Sequence, residues 1–154
     1  MEVFNKIYEN NLWASKESKS GTGSELKNTV KLRSELQILF KKYNIKSVLD
    51  IPCGDFNWMQ HVDLSEINYI GADIVPQVIE SNKAKYPDRD FRVLDLCSSP
   101  LPKADLIITR DCLGHLSTPN VHRAIENIRR SNSLYLLATT FTKYNHNPDI
   151  EDGG

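Results

Sequence analysis

The sequence predicts an α/β fold in which a doubly wound, mostly parallel sheet carries helices on both faces. From residue 47 onward, short apolar runs rich in strand-forming residues alternate with segments of helical periodicity. The runs are apolar throughout, which is typical of parallel strands that are buried on both faces. Right-handed crossovers, with a reversal of direction after the third strand, then give the strand order 3-2-1-4-5.

The first 44 residues are predicted to form helices and a lid-like loop ahead of the sheet. Residues 1–23 mix aromatic anchors with a polar stretch that leads into Ser20-Gly21-Thr22-Gly23-Ser24. The composition of this stretch fits a flexible linker, whereas the neighbouring Trp13 favours an anchored lid, and both interpretations remain open. An amphipathic helix is predicted over residues 24–43, with Ser24 as its N-cap.

The core, residues 45–141, is predicted to hold five strands and three helices. The strands are Ser47–Ile51, Asn68–Ile74, Asp90–Leu94, Ala104–Thr109 and Leu134–Phe141. The helices are Asp55–His61, Val75–Tyr86 with Pro76 in its first turn, and Ser117–Arg130, which Ser117 or Thr118 can cap. The short link Cys97–Lys103 is expected to be a loop or a stunted helix.

Length and charge limit the classes of function. The 154 residues, 40% hydrophobic and 25% charged, fit one globular domain over residues 1–154. A formal net charge of -1, with adjacent basic residues only at Lys41-Lys42 and Arg129-Arg130, gives no reason to expect nucleic acid or a membrane as partner. Without a signal peptide or a long apolar run, the expected location is the cytoplasm.

The metal-binding residue types show no metal-ligand pattern. The three cysteines lack C-x-x-C spacing, which argues against a zinc site and against a secreted disulfide framework. The histidines His61, His122 and His146 are far apart in the pattern and are expected at the surface. No metal is therefore predicted.

The first two strands end in acidic residues, at the sheet edge where a doubly wound fold binds its ligands. Asp50 precedes the turn Pro52-Cys53-Gly54, whose glycine lets the backbone approach a ligand while the carboxylate can hold a cationic amine. Asp73, followed by Ile74, is placed to accept both hydroxyls of a ribose. The plainer interpretation of such an Asp is a turn or capping residue.

The third and fourth strands end in further polar residues. Asp95, ahead of Leu96, can accept the exocyclic amine of adenine. Arg110 and Asp111 follow the fourth strand in a segment expected to form the pocket floor. Asp111 and His115 are the candidate general bases, because they lie near where a substrate hydroxyl would react; orienting the loop is the alternative role of His115.

These motifs, taken in order, resemble those of class I S-adenosylmethionine-dependent methyltransferases. They are Leu-Asp-Ile-Pro-Cys-Gly-Asp, Gly-Ala-Asp, Leu-Asp-Leu and Arg-Asp-Cys-Leu-Gly-His-Leu, and the resemblance spans about residues 45–141. The usual loop of the family has three alternating glycines; here Pro52 and Phe56 replace two of them and Gly54 remains. A nicotinamide-dependent oxidoreductase is disfavoured, because residues 50–56 lack its G-x-G-x-x-G loop.

The resemblance implies S-adenosylmethionine as cofactor, with S-adenosylhomocysteine as product. Asp50 with Gly54 would contact the methionine amine, Asp73 the ribose, and Asp95 with Leu96 the adenine. The post-strand-four segment with Arg110 and Asp111 would line the methionine and substrate side. The segment from Trp13 to Ser24 would close over the cofactor.

The acceptor and the completeness of the domain remain expectations. O-methylation of a small molecule or glycan is expected, because there is no basic face and no Asn-Pro-Pro-Tyr-type motif of base methylation. A domain of this family normally adds a strand hairpin after strand five, so the tail, residues 142–154, is expected to be truncated or disordered. The exposed strand-five edge would then pair with another chain, as in a homodimer. The alternative is a non-catalytic or partner-dependent S-adenosylmethionine-binding module.

Overall fold

A parallel sheet in the order β3-β2-β1-β4-β5 runs through the protein. In this computed structural model, which describes residues 2–140 and 148–154, the sheet has five strands. They are β1 (Ser47–Asp50), β2 (Asn68–Asp73), β3 (Asp90–Val93), β4 (Leu106–Thr109) and β5 (Tyr135–Ala138). Each neighbouring pair is parallel, so the predicted fold class and strand order are confirmed.

Helices cover both faces of the sheet. Within the described residues they are α1 (Glu2–Glu9), α2 (Leu26–Lys42), α3 (Pro76–Lys85) and α4 (Thr118–Arg130). Val48 of β1 packs in a cluster with Phe40 of α2, whereas Leu49 packs in a second cluster with Ile128 of α4. Since successive residues of a strand point to opposite faces, the sheet has a packed core on each side.

The predicted helix over Asp55–His61 is wrong. The chain makes turns there and ends in one 3₁₀ turn, Met59–His61. Phe56 has a φ of 60°, a left-handed conformation that cannot continue a right-handed helix. This conformation accompanies the burial of the Phe56 ring, which packs edge-on against Phe91 at 5.3 Å between ring centroids.

The predicted N-cap of α2 is also wrong. Ser24 is buried in a 3₁₀ turn, Thr22–Ser24, and its carbonyl accepts a hydrogen bond from Asn57 Nδ2 at 3.0 Å. The helix begins at Leu26, whose backbone N–H donates to Glu17 Oε1 at 2.7 Å. A carboxylate nine residues earlier therefore satisfies one of the free N–H groups at the helix start.

The end of the described chain lies against the start of α4. The side chains of Ser117 and Thr118 do not cap this helix as predicted. Instead, the Ser117 N–H donates to Asp152 Oδ1 and the Thr118 N–H to Asp149 Oδ1, each at 2.7 Å. Carboxylates are stabilised at a helix N-terminus by its partial positive charge.

The predicted disordered tail thus makes specific contacts in residues 148–154. The remainder of that tail, residues 142–147 with His146, and Phe141 at the end of the predicted fifth strand lie outside the described residues. The link Cys97–Lys103, for which a loop or a stunted helix was expected, is a loop.

Candidate functional site

A cavity of about 360 Å³ lies beyond the carboxyl ends of β1, β2 and β4, where the strand order reverses. Ligands of doubly wound sheets bind at this position, and the volume is that of a small-ligand site. Every residue that the sequence nominated lines the cavity: Trp13, Asp50, Pro52, Cys53, Gly54, Asp73, Ile74, Asp95, Leu96, Arg110, Asp111 and His115. The structure therefore brings together all the predicted site residues, although lining alone does not assign their roles.

Asp50 is the most deeply enclosed acid of the site. Its side chain is buried, and Oδ2 accepts a hydrogen bond from the Tyr69 hydroxyl at 2.8 Å. Burial raises the pKa of Asp50 to about 7, the neighbouring charge of Asp73 adds to the rise, and the Tyr69 hydrogen bond opposes it. Burial therefore outweighs the Tyr69 hydrogen bond and the nearby charge of Arg110, which both lower the pKa, and a bound cation would lower it further.

Asp73 links the second strand to the turn after the first. Its carboxylate accepts hydrogen bonds from the backbone N–H groups of Gly54 at 3.1 Å and Val75 at 3.0 Å. Burial raises its pKa to about 6, although these backbone hydrogen bonds act in the opposite direction. Asp73 therefore fixes the turn while also bordering the cavity.

Gly54 allows the N-terminal region to approach the turn closely. It has a φ of 55°, and a Cβ atom there would overlap Ser20 Oγ. Ser20 Oγ in turn accepts a hydrogen bond from the Asp55 N–H at 2.9 Å. The Asp55 carboxylate accepts hydrogen bonds from Ser18 Oγ at 2.9 Å and the Lys19 N–H at 3.0 Å.

Residues 15–24, which we call the lid segment, are therefore anchored on the glycine turn. Trp13, just before the lid segment, packs beside Gly21 and lies 5.6 Å from the ring of His115. The contacts favour an anchored segment over a flexible linker in this polar stretch. Asp55, which binds the lid segment, was not singled out in the sequence because its partners lie more than thirty residues earlier.

Asp95 has a structural role in addition to its place at the cavity. Oδ1 accepts a hydrogen bond from the Cys97 N–H at 2.8 Å, and Oδ2 accepts one from Ser98 Oγ at 2.7 Å. The carboxylate thus shapes the turn after β3, as the plainer interpretation of a strand-end Asp suggests. Each oxygen has a second lone pair with which to accept a further donor.

Arg110 and Asp111 form an ion pair at the end of β4. Arg110 Nη1 lies 2.9 Å from Asp111 Oδ2, and Arg110 Nη2 donates to the carbonyl of Gly23 at 2.8 Å. The guanidinium also lies over the ring of Trp58, at 5.7 Å from its centroid. The pair therefore connects the floor of the cavity to the lid segment.

His115 contacts the last described residue of the chain. Its Nδ1 lies 2.6 Å from the carbonyl oxygen of Gly154, and its backbone carbonyl accepts from the Gly153 N–H at 2.7 Å. A carbonyl can only accept, so we assign a proton to Nδ1.

Further cavity residues lacked a sequence signal. Phe4 and Tyr8 of α1, Trp58, and Lys19 line the cavity beside the nominated set. Phe4 and Tyr8 stand out in the sequence only as aromatic anchors, and Trp58 resembles a core residue, which it also is.

Cys53 is a packing residue rather than a reactive thiol, because burial raises its pKa well above the usual range.

The described residues show neither a metal centre nor a membrane span. In residues 2–140 and 148–154, no group of three or more His, Cys, Asp or Glu side chains is placed to hold a metal ion. No helix in the same ranges combines the length and the apolar character needed to cross a bilayer. His61 and His122 are exposed, as predicted.

Comparison with known proteins points to one family. A family profile described as a methyltransferase domain matches residues 48–132. Protein 235L of Invertebrate iridescent virus 6, which carries a provisional methyltransferase name, is 26% identical over 98 residues; the match covers 60% of this chain and 37% of the viral protein.

Solved structures share the fold. The N-methyltransferase NodS of Bradyrhizobium japonicum, determined with S-adenosylhomocysteine, is 15% identical with a TM-score of 0.65, covering 82% of this chain and 66% of NodS. An S-adenosylmethionine-dependent methyltransferase of Clostridium acetobutylicum is 15% identical with a TM-score of 0.60, covering 84% and 52%. The chain thus spans about a third of the viral relative and about half to two thirds of these structures.

The two buried acids predict a pH dependence of stability. Because both pKa values lie above the unfolded value of about 3.9, the folded chain binds these protons more tightly. Their contribution to the free energy of unfolding therefore falls as the pH rises from about 4 to about 7 and then levels off. Urea denaturation of the ligand-free protein across this range, compared with Asp50→Asn, measures the share of Asp50.

We expect wild-type stability to decline relative to Asp50→Asn as the pH rises through this window. The exposed Asp88 supplies the matched control. The difference in free energy of unfolding between Asp88→Asn and wild type should not change across this pH range. A wild-type to Asp50→Asn difference that does not change with pH would contradict the assignment of a raised pKa.

Proposed function

Because this chain belongs to the methyltransferase domain family, we propose that it binds S-adenosylmethionine in the cavity and transfers the methyl group to a small-molecule or glycan acceptor. The observation that carries the proposal is the convergence of Asp50, Asp73 and the Gly54 turn on one cavity. S-adenosylhomocysteine is the expected product.

The chemistry of the lining fits this cofactor. Asp50, whose carboxylate is buried and accepts a hydrogen bond from Tyr69, would hold the cationic amine of the methionine part. Asp73 would accept the ribose hydroxyls, since each of its oxygens keeps a free lone pair beside its backbone hydrogen bond. Asp95 and Leu96 would border the adenine.

The remaining nominated residues complete the proposed binding site. Pro52, Cys53 and Gly54 would let the backbone run close to the methionine part, and Ile74 would pack beside the ribose. Arg110 and Trp13 would enclose the methionine and acceptor side.

The reaction requires the protein mainly to position the methyl donor and the acceptor. The sulfonium of the cofactor supplies an activated methyl group, so the chain need not create an electrophile. Its residues hold the donor, align the acceptor with the methyl group and exclude water. Trp13 and the anchored lid segment, with Phe4 and Tyr8 of α1, are positioned at the cavity to exclude water.

We further propose that the attacked atom is a hydroxyl oxygen and that His115 is the general base. A hydroxyl must lose its proton, and Nε2 of the His115 imidazole would accept it. Asp111 is the second candidate, but its carboxylate is already engaged by Arg110 and by Thr139.

Two solved structures bear on the class of acceptor. CalS10 of Micromonospora echinaspora, an amino pentose methyltransferase with a TM-score of 0.61, is 12% identical over 73% of this chain and 52% of its own. The acceptor of CalS10 is thus a sugar, whereas NodS is an N-methyltransferase and methylates nitrogen. An amine acceptor should therefore be tested beside a hydroxyl acceptor.

Cofactor binding is predicted to depend on Asp73 and Gly54. Asp73→Asn removes a charged acceptor and Gly54→Ala displaces Ser20, so each should weaken S-adenosylmethionine binding at least about tenfold, or about 1.4 kcal/mol. Isothermal titration calorimetry measures this, with Asp88→Asn as the control at wild-type affinity. The cofactor assignment would be overturned if NAD raised the melting temperature while neither S-adenosylmethionine nor S-adenosylhomocysteine did.

Transfer is predicted to depend on His115. His115→Asn should lower the rate of transfer to a hydroxyl acceptor by about 10²-fold or more, with little change in cofactor affinity. Equal rates in both proteins would remove His115 as the base.

Binding without transfer to any hydroxyl- or amine-bearing acceptor supports the alternative, a non-catalytic or partner-dependent binding module. The chain covers only part of its relatives, so the same assay should be run on any longer form of the protein. The proposed compartment is the cytoplasm, which agrees with three cysteines that are free of disulfides. Neither nucleic acid nor a membrane is a proposed partner.

We also propose that β5 pairs with β5 of a second copy. Leu134, Tyr135 and Leu136 expose 64%, 45% and 42% of their surface at this edge of the sheet. The opposite edge, β3, carries an ion pair between Arg92 and Asp90 at 2.6 Å, a feature that discourages pairing.

The dimer is predicted to be broken by charge at the β5 edge. Leu136→Lys should shift the protein from dimer to monomer in size-exclusion chromatography with light scattering, because a buried lysine opposes pairing. Val93→Lys on β3, where Val93 is 46% exposed, is the matched control and should leave the dimer intact. A wild type that stays monomeric at high concentration would exclude the pairing.

A further inference from the structure

We propose that Thr139, a residue without any sequence signal, is a positioning residue of the site, and this inference rests on the proposed function. Its hydroxyl fixes the Asp111 carboxylate, and Asp111 in turn holds Arg110 across the cavity against the lid segment. Thr139 stands immediately after β5, so the end of this strand sets the geometry of the cavity floor.

The Thr139 hydroxyl makes two hydrogen bonds to one residue. Oγ1 donates to Asp111 Oδ1 at 3.0 Å and accepts from the Asp111 N–H at 2.9 Å. Asp111 has a φ of 48°, a left-handed conformation that a residue other than glycine rarely adopts. The paired hydrogen bonds hold both the backbone and the carboxylate of Asp111 in this unusual conformation.

Asp111 then determines where Arg110 can lie. Asp111 Oδ2 pairs with Arg110 Nη1 at 2.9 Å, which leaves Nη2 directed at the carbonyl of Gly23, 2.8 Å away. A Cβ atom on Gly23 would come within 2.8 Å of Asp111 Oδ2. The lid segment, the ion pair and Thr139 are therefore in close mutual contact.

The two candidate bases, Asp111 and His115, have different roles in this arrangement. One oxygen of the Asp111 carboxylate accepts from Thr139 and the other pairs with the charged Arg110, so Asp111 serves as a support for Arg110. His115 takes no part in this network. Loss of the Thr139 hydroxyl should therefore loosen the lid segment and weaken cofactor binding without removing the base.

Trp58 offers a test that does not require the cofactor. The chain has two tryptophans, so Trp13→Phe leaves Trp58, beneath the Arg110 guanidinium, as the only tryptophan signal. In that background, Thr139→Val should raise acrylamide quenching of Trp58 about twofold or more, because Arg110 no longer shields the ring. Thr139→Ser keeps the hydroxyl and should restore the low quenching.

The neighbouring Thr140, which is exposed, supplies the matched control, and Thr140→Val should quench as the parent does. Thermal melting confirms that each variant is folded at the temperature of the measurement. Equal quenching in Thr139→Val and the parent would overturn the inference. Equal effects of the valine and serine variants would also overturn it, because they would point to packing rather than to the hydroxyl.

Calorimetry with the Trp13-containing protein gives the second readout. Thr139→Val should weaken S-adenosylmethionine binding roughly fivefold, which corresponds to about 1 kcal/mol for a lost hydrogen bond, and Thr139→Ser should bind as the wild type does. If the wild type fails to bind this ligand, the proposed function fails while the quenching comparison still decides the role of Thr139. Unchanged affinity in the valine variant would contradict the positioning role.

Discussion

The site depends on keeping two carboxylates, those of Asp50 and Asp73, away from water at the ends of adjacent strands. An ionised carboxylate without a partner is costly to bury, and the cost falls when donors surround it. Tyr69 supplies a donor to Asp50, while the backbone of Gly54 and Val75 supplies donors to Asp73. The hydrogen bonds that make burial tolerable therefore also give the glycine turn its shape.

The same turn organises the region that precedes the sheet in sequence. Asp55 binds the lid segment from one side of the cavity, and Arg110 binds it from the other through Gly23. A segment rich in Ser and Gly, with no apolar core of its own, is thereby held by polar contacts at both ends, and Trp13 packs beside its Gly21. Its order depends on the sheet, whereas the sheet packs its two cores without it.

Features encoded by local pattern were predictable, and features fixed by distant contacts were not. Strand order and the positions of Asp50, Asp73 and Asp95 follow from strand periodicity and from the rule that parallel strands end at one edge. The turn at Phe56 was misassigned because its conformation accompanies a ring packed against later strands. Thr139 gave no sequence signal because its hydroxyl acts on Asp111, 28 residues earlier. Glu17 gave none because it lies nine residues before Leu26, the helix start that it caps.

The long sequence separations in the Arg110 network have a consequence for biosynthesis. Arg110 bonds to a carbonyl 87 residues before it, and Asp111 is held by a hydroxyl 28 residues after it. A ribosome makes the lid segment before Arg110 and Thr139, so a nascent chain carries Asp50 and Asp73 before the side chains that close the pocket around them have been made. The pocket around these two acids is therefore complete only after β5 has been made and has joined the sheet.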